Sequence, residues 1–282
     1  MKINWFPGHM VKTRREITDN LKLVDAVIEI RDARIVNSST NPEIKKILGD
    51  KPRIILLNKA DMAEEQVTKR WIETLEDETT IVLAVNSLTG KGLNDIKPAL
   101  LRLLKEKLAR NKERGIVNYT LRAMVVGIPN VGKSSFINRM AKNAIAKVGN
   151  RPGVTKNKQW IKTKDGIELL DTPGILWPKF EEETSLNLAF TGAIKDEIMD
   201  TETLALKMIE RLSTHYGKRL KERYNLEELS EDPLENMDQI ALARGCIMKG
   251  KEIDYSRVAI LLLDEFRSAK LGRISLEWPE RE

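Results

Sequence analysis

Val125-Val126-Gly127-Ile128-Pro129-Asn130-Val131-Gly132-Lys133-Ser134-Ser135 is the stretch whose reading decides the fold. The apolar approach through Leu121, Met124, Val125 and Val126 reads as a strand, and Phe136, Ile137 and Met140 begin a helical pattern. The spacing between them fits G-x-x-x-x-G-K-S in full, a strand–loop–helix that cradles phosphate. Glycines let consecutive backbone N–H groups curl around the anion, and the helix N-terminus adds a favourable dipole. Lys133 is expected to reach the β and γ phosphates and the Ser134 hydroxyl to bind Mg²⁺, with Asn130, Val131, Gly132 and Ser135 completing the loop. A chain with this element binds a nucleoside triphosphate.

Which triphosphate is decided upstream. The buried strand expected over Arg53–Leu57 ends in Asn58-Lys59-Ala60-Asp61, an N-K-x-D tetrapeptide. A carboxylate there can accept from both N1–H and the exocyclic amine of guanine, a pair that adenine does not offer. The Asn holds the loop or touches guanine N7, and the Lys stem lies along the base. After the next strand, Thr80–Val85, comes Asn86-Ser87-Leu88-Thr89-Gly90, where related loops have S-A-x-x-G. Asn86 stands for the usual Ser and Ser87 for the usual Ala, whose role is a backbone N–H to guanine O6. Downstream of the P-loop, Pro152-Gly153-Val154-Thr155 has the form of switch I, whose Thr binds Mg²⁺ when the γ-phosphate is present. Asp171-Thr172-Pro173-Gly174 closes the set, with Asp171 reaching Mg²⁺ through water and the Gly174 N–H facing the γ-phosphate.

All five guanine-nucleotide motifs are present, but N-K-x-D and the guanine loop precede the P-loop instead of following it. The sheet survives that order because strand neighbours are set by packing. The helix expected over Leu93–Asn111 joins what are ordinarily two nearby chain ends. The expected architecture is therefore α/β: a circularly permuted P-loop GTPase domain over 1–178, with a mostly parallel sheet flanked by helices and an N-terminal arm over 1–13. A small all-α domain over 179–282 follows. In that tail the apolar residues recur at helical spacing, as in Leu204, Met208, Ile209 and Leu212.

Composition narrows the partners. Cys246 is the only cysteine, which rules out a disulfide or cysteine-metal framework within the chain. The longest aliphatic run, Val258–Leu263, is too short for a membrane span, and Met1–Pro7 lacks the apolar core of a signal peptide, so a cytoplasmic protein is expected. The net charge of +6 is unevenly spread: residues 1–178 carry +12 and residues 179–282 carry −6. No acidic residue occurs between Glu113 and Asp165, an interval with eleven Lys and Arg. One triphosphate does not need so many cations, and a polyanion such as RNA fits the remainder. In the tail, Lys218, Arg219, Lys221 and Arg223 form a small basic cluster, while His215 stands alone.

The permuted motif order, the N-terminal Trp5-Phe6-Pro7-Gly8-His9-Met10 and the Asp32-Ala33-Arg34 after the first strand resemble the bacterial ribosome biogenesis GTPase A family, over the whole chain. The resemblance implies a GTPase that binds large-subunit precursors and their rRNA in the GTP state and leaves after hydrolysis. A second reading, a regulatory switch acting on a protein effector, is separated from the first by its partner.

Two further residues are singled out. Ile175 stands where many GTPases carry the Gln that orients the attacking water, so hydrolysis by the chain alone is expected to be slow and stimulated by the particle. The permutation cuts switch II, and the arm begins where its lost half lies. His9, the one group there that titrates near neutrality, is the expected water-orienting residue. Asn130 is a candidate ligand for a potassium ion beside the phosphates.

Overall fold

The computed structural model describes residues 15–116, 118–141, 159–174, 176–177, 180–194 and 200–280. They cluster into two compact units, one of Met1–Glu181 with Ser275–Glu282 and the other of Glu182–Ile274.

In the first unit a helix at 15–21 (α1) leads to β1 (Ala26–Asp32), α2 (Pro42–Leu48), β2 (Arg53–Asn58), α3 (Glu65–Leu75) and β3 (Thr80–Ala84). Then come α4 (Ile96–Leu103), α5 (Lys105–Glu113), β4 (Arg122–Val126), α6 (Lys133–Met140), β5 (Gln159–Lys162) and β6 (Glu168–Asp171). The six strands form one sheet in the order β3-β2-β1-β4-β6-β5. Every pairing is parallel except β5 with β6. This is the permuted α/β architecture expected from the motif order. β1 is buried at all seven positions, as a central parallel strand with both faces covered must be. One face packs Val27, Met124, Val126 and Leu170 against Ile17, Val24, Ile44 and Leu48. Further along the same face, Ile55, Leu57 and Val82 pack against Val67 and Trp71 of α3.

Parallel strands place all their C-terminal ends at one edge. β1 ends at Asp32, β2 at Asn58 and β6 at Asp171, and β4 runs out into the P-loop. Ligands in open parallel sheets bind beyond these ends.

Two expectations are corrected. The helix expected over Leu93–Asn111 breaks at Leu104 (φ −100°, ψ 12°) into α4 and α5, and α5 buries no residue. The chain from Ser275 onward was assigned to the helical tail, but it rejoins the first unit. Trp278 packs against the Trp71 face, and Leu276 N–H donates to Arg34 O at 2.8 Å.

The second unit contains α7 (Glu182–Phe190), α8 (Thr201–Tyr224), α9 (Pro233–Arg244) and α10 (Tyr255–Arg267). Leu204, Met208, Ile209 and Leu212 are buried along one stripe of α8. That helix carries a kink at Tyr216 (φ −136°, ψ 25°). α9 stops earlier than its apolar pattern suggests because Gly245 adopts a left-handed cap. The basic cluster is partly structural. Arg223 forms a two-pronged pair with the Glu265 carboxylate, at 2.9 and 2.6 Å, and Arg219 stacks 4.9 Å over the Tyr216 ring. Lys218 stays exposed, and so does His215. No helix among the described residues is long and apolar enough to cross a membrane.

Candidate nucleotide-binding site

The site is built where β4, β6, β2 and the loop after β3 end together. Gly127 and Gly132 are glycine for steric reasons. A Cβ on Gly127 would lie 2.6 Å from Ile30 O, and one on Gly132 would collide with Asn58 Nδ2. Gly132 also takes φ +100°, a conformation that L side chains rarely adopt. The loop then opens into α6, where Lys133 is the first residue and Ser134 the second.

Lys133 Nζ donates to Gly127 O (3.1 Å) and Ile128 O (3.0 Å), so the amine folds back over its own loop. Burial pushes its pKa down to about 8, against the opposing pull of Asp171. A Cβ on Gly174 would stand 2.7 Å from the same Nζ, which places the D-T-P-G turn against the P-loop lysine. Thr172 Oγ1 donates to Val125 O at 2.6 Å and pins that turn to β4. Ser134 follows Lys133 on α6 and the Asp171 carboxylate acts electrostatically on the Lys133 amine, so a hydroxyl and a carboxylate are offered near the lysine. Oxygen donors of this kind suit Mg²⁺, and the GTPase family generally uses that ion.

The N-K-x-D turn is tied directly to this loop. Asn58, 2% exposed, donates from Nδ2 to Val131 O at 2.7 Å. Its Oδ1 accepts from Ser87 N (3.0 Å) and Ser87 Oγ (2.9 Å). One side chain therefore fixes the P-loop, the N-K-x-D turn and the guanine loop to one another. Lys59 takes φ +58° and sends Nζ to Asp32 Oδ2 (2.9 Å) and Asn130 O (2.9 Å). Ala60 N–H donates to Val85 O at 3.1 Å, and Asp61 is exposed in the turn that follows.

In the guanine loop, the Ser87 N–H assigned from sequence to guanine O6 is engaged by Asn58 Oδ1. Asn86 shapes the loop instead, its Oδ1 accepting from Leu88 N (2.8 Å) and Thr89 N (3.0 Å). Asn130, with φ +59°, is exposed at the tip of the P-loop, and that backbone conformation is one Asn tolerates. His9, Thr155 and Ile175 lie outside the described residues, as do the arm and switch I.

Three contributors escaped the motif reading. Asp32 receives three bonds from Arg34, backbone N–H to Oδ1 (3.1 Å), Nε to Oδ1 (2.9 Å) and Nη2 to Oδ2 (2.8 Å), besides the one from Lys59. Burial alone would raise its pKa, but Arg34 and Lys59 hold the carboxyl well below the usual carboxylate range. From sequence, the Asp-Ala-Arg following a buried strand was a family mark without a job; its job here is to orient the N-K-x-D lysine. Arg139, on α6, donates to Thr89 O at 2.5 Å and gives the guanine loop a second tie to the P-loop helix.

Comparison with known proteins agrees with this geometry. The 50S ribosome-binding GTPase family matches residues 122–241, beginning at the P-loop strand. Ribosome biogenesis GTPase A of Bacillus licheniformis is 52% identical over 99% of both chains. The Thermotoga maritima protein of the same name is 33% identical over 99% of this chain and 95% of its own. Mouse mitochondrial ribosome-associated GTPase 1 is 32% identical over 97% of this chain and 89% of its own. A GNP-bound crystal structure of YlqF from T. maritima superposes with a TM-score of 0.67 at 29% identity, covering 96% of this chain and all of that one. With all the described guanine-nucleotide motifs gathered at one sheet edge in permuted order, the chain belongs to the ribosome biogenesis GTPase A family, GTP-hydrolysing proteins of ribosome assembly.

Proposed function

We propose that the chain binds precursors of the large ribosomal subunit, through their rRNA, in its GTP state, and leaves after hydrolysis in the cytoplasm. The observation that carries this reading is the Asn58 knot. Because one buried side chain joins base and phosphate loops, nucleotide occupancy and loop geometry form one mechanical unit. The +12 balance over residues 1–178 supplies the cations that an RNA partner requires. The relatives' names, with "ribosome" in each, point to the same partner.

In this reading Asp61 recognises guanine N1–H and N2, Lys133 and the Asn130–Ser135 loop hold the phosphates, and the Gly174 N–H faces the γ-phosphate. Ser134 and Thr155, with Asp171 through water, would hold Mg²⁺, which would supply positive charge against the developing phosphate charge. His9 orients the attacking water once the particle orders the arm, and Asn130 helps hold a potassium ion.

Sedimentation tests the docking cycle. Lysate with a non-hydrolysable GTP analogue should carry the chain into large-subunit fractions, and GDP should release it. A chain that stays in the light fractions with both nucleotides, bound to another protein, would establish the regulatory-switch reading instead. His9→Ala should keep GTP binding and particle binding while stimulated hydrolysis falls at least about tenfold, ~1.4 kcal/mol of barrier. Full stimulated turnover in that variant would leave the arm without a catalytic role.

A further inference from the structure

The strap Ser275–Trp278 is the part of the first unit for which neither motif nor family supplies a task. It crosses the two loops that flank Lys59-Ala60-Asp61. On one side, Leu276 N–H donates to Arg34 O at 2.8 Å. The Glu277 carboxylate accepts from Asn37 N (2.6 Å), from Ser38 N (3.0 and 3.1 Å) and from Ser38 Oγ. On the other side, Ser275 Oγ accepts from Glu64 N at 3.1 Å, at the start of α3, three residues beyond Asp61. Glu277 O accepts from Trp71 Nε1 at 3.3 Å, and Trp278 packs against the cluster that contains Ala33, Ala63 and Trp71.

The strap's bonds converge on one node. Loop 33–40 carries Arg34, whose guanidinium grips Asp32, and Ser39, whose hydroxyl accepts from Asp32 N at 3.1 Å. Asp32 in turn holds Lys59 Nζ. Lys59 immediately precedes the Ala60-Asp61 turn, and the helix after that turn is held at its first residues by Ser275. A carboxylate that accepts three N–H and O–H donors from one loop removes freedom from that loop before ligand arrives, which lowers the ordering cost of binding.

We propose that Ser275–Trp278 is a positioning clasp for base recognition, in which Glu277 fixes the Asp32–Arg34 loop that orients Lys59, and Ser275 fixes the far side of the Asp61 turn. The proposal rests on the guanine-reading role of Asp61. Glu277 touches no nucleotide in it and acts through Arg34, Asp32 and Lys59.

The test titrates nucleotide-free wild type, Glu277→Ala, Glu277→Gln and Asp61→Asn with GDP, inosine diphosphate and xanthosine diphosphate. KM and kcat for GTP and the urea midpoint are measured alongside. Glu277→Ala should weaken GDP at least fivefold, raise KM with kcat kept within twofold, and narrow the preference for GDP over inosine diphosphate. Glu277→Gln keeps one acceptor oxygen and should fall between. GDP affinity within twofold of wild type in Glu277→Ala overturns the clasp. So does an equal loss for GDP and inosine diphosphate that follows a lowered urea midpoint, because that is general loosening. Asp61→Asn should turn preference toward xanthosine diphosphate. If it keeps its preference for GDP, the base-reading role fails and the clasp with it; if it switches while Glu277→Ala is silent, the clasp alone fails.

Discussion

Replacing Asn58 by Ala removes three buried hydrogen bonds at once, to Val131 O, from Ser87 N and from Ser87 Oγ. The alanine methyl can replace none of them. Each bond is worth about 1 kcal/mol net, and a buried amide left without a partner costs a further ~1–3 kcal/mol. Ser87 is 3% exposed and Val131 1%, so water reaches neither group easily. The Ser87 hydroxyl can rotate to another acceptor and return part of its share. A loss of about 2–4 kcal/mol in unfolding free energy follows, read from urea titration of the nucleotide-free protein. The same bonds set the spacing between the base and phosphate loops, so GDP should bind at least about tenfold more weakly, ~1.4 kcal/mol. Ser87→Ala is the internal comparison. It keeps the amide bond, loses only the hydroxyl, and should cost about 1 kcal/mol. A variant Asn58→Ala within 1 kcal/mol of wild type, binding GDP within about twofold, would refute the claim that this side chain joins the loops.

Lys133→Ala should abolish measurable GTP hydrolysis while the fold survives, since among the described residues Nζ hydrogen-bonds two carbonyls of its own loop; ordinary turnover would overturn the P-loop assignment. Asp25 is buried, which alone would raise its pKa, but Lys107, Tyr119 and the Arg122 N–H hold it below the ordinary value. A depressed folded-state pKa contributes stability above the unfolded value, near pH ~4, and loses it as pH falls through the folded one. The stability gap between wild type and Asp25→Asn should therefore be full at neutral pH and shrink in acid; a gap that is constant from pH 7 to 3 contradicts the carboxylate's role. If Asn130 serves a potassium site, hydrolysis should be faster in potassium than in sodium chloride, and Asn130→Ala should erase the difference; equal rates in wild type remove the site.

Much of this was legible before any coordinates, and for a reason. Lys133, Ser134, Asp61 and Asp171 belong to motifs in which spacing and residue type are both fixed by the phosphate or base they face, so a short window suffices to find them. A mostly parallel sheet followed as well, because such a sheet carries each motif at a strand's C-terminal end. The ties that hold the motifs together were less legible. Asp32 and Lys59 are separated by 27 residues, and Glu277 and Ser38 by 239. No local pattern marks such pairs. The engaged Ser87 N–H shows a related limit: from sequence, Asn86-Ser87 invited alignment with Ser-Ala, and only the direction of the Asn58 side chain reveals that Ser87 supplies the hydroxyl contact. The sequence places the strap in the helical tail because chain continuity says nothing about where four residues dock.

Permutation poses a mechanical problem that the same kind of long-range tie solves. β1 and β4 pair in parallel, Ala26 beside Ala123 and Glu29 beside Val126, so the seam of the rearranged chain lies between two central strands. The connection from β3 to β4 must return to that seam, and α5 buries no apolar residue that could hold it in place. Asp25, one residue before β1, does the holding. Its Oδ1 accepts from Lys107 on α5 and from Tyr119 in the approach to β4, and its Oδ2 accepts from Arg122 N at 2.8 Å. Asp25 N–H in turn donates to Arg122 O at 2.8 Å, which starts the β1–β4 ladder. A carboxylate buried at the N-terminal ends of the strands thus anchors the added connection, while Asn58 at the opposite ends gathers the loops that the connection reordered. The two poles have the same logic: one short polar side chain ties together segments far apart in the permuted chain.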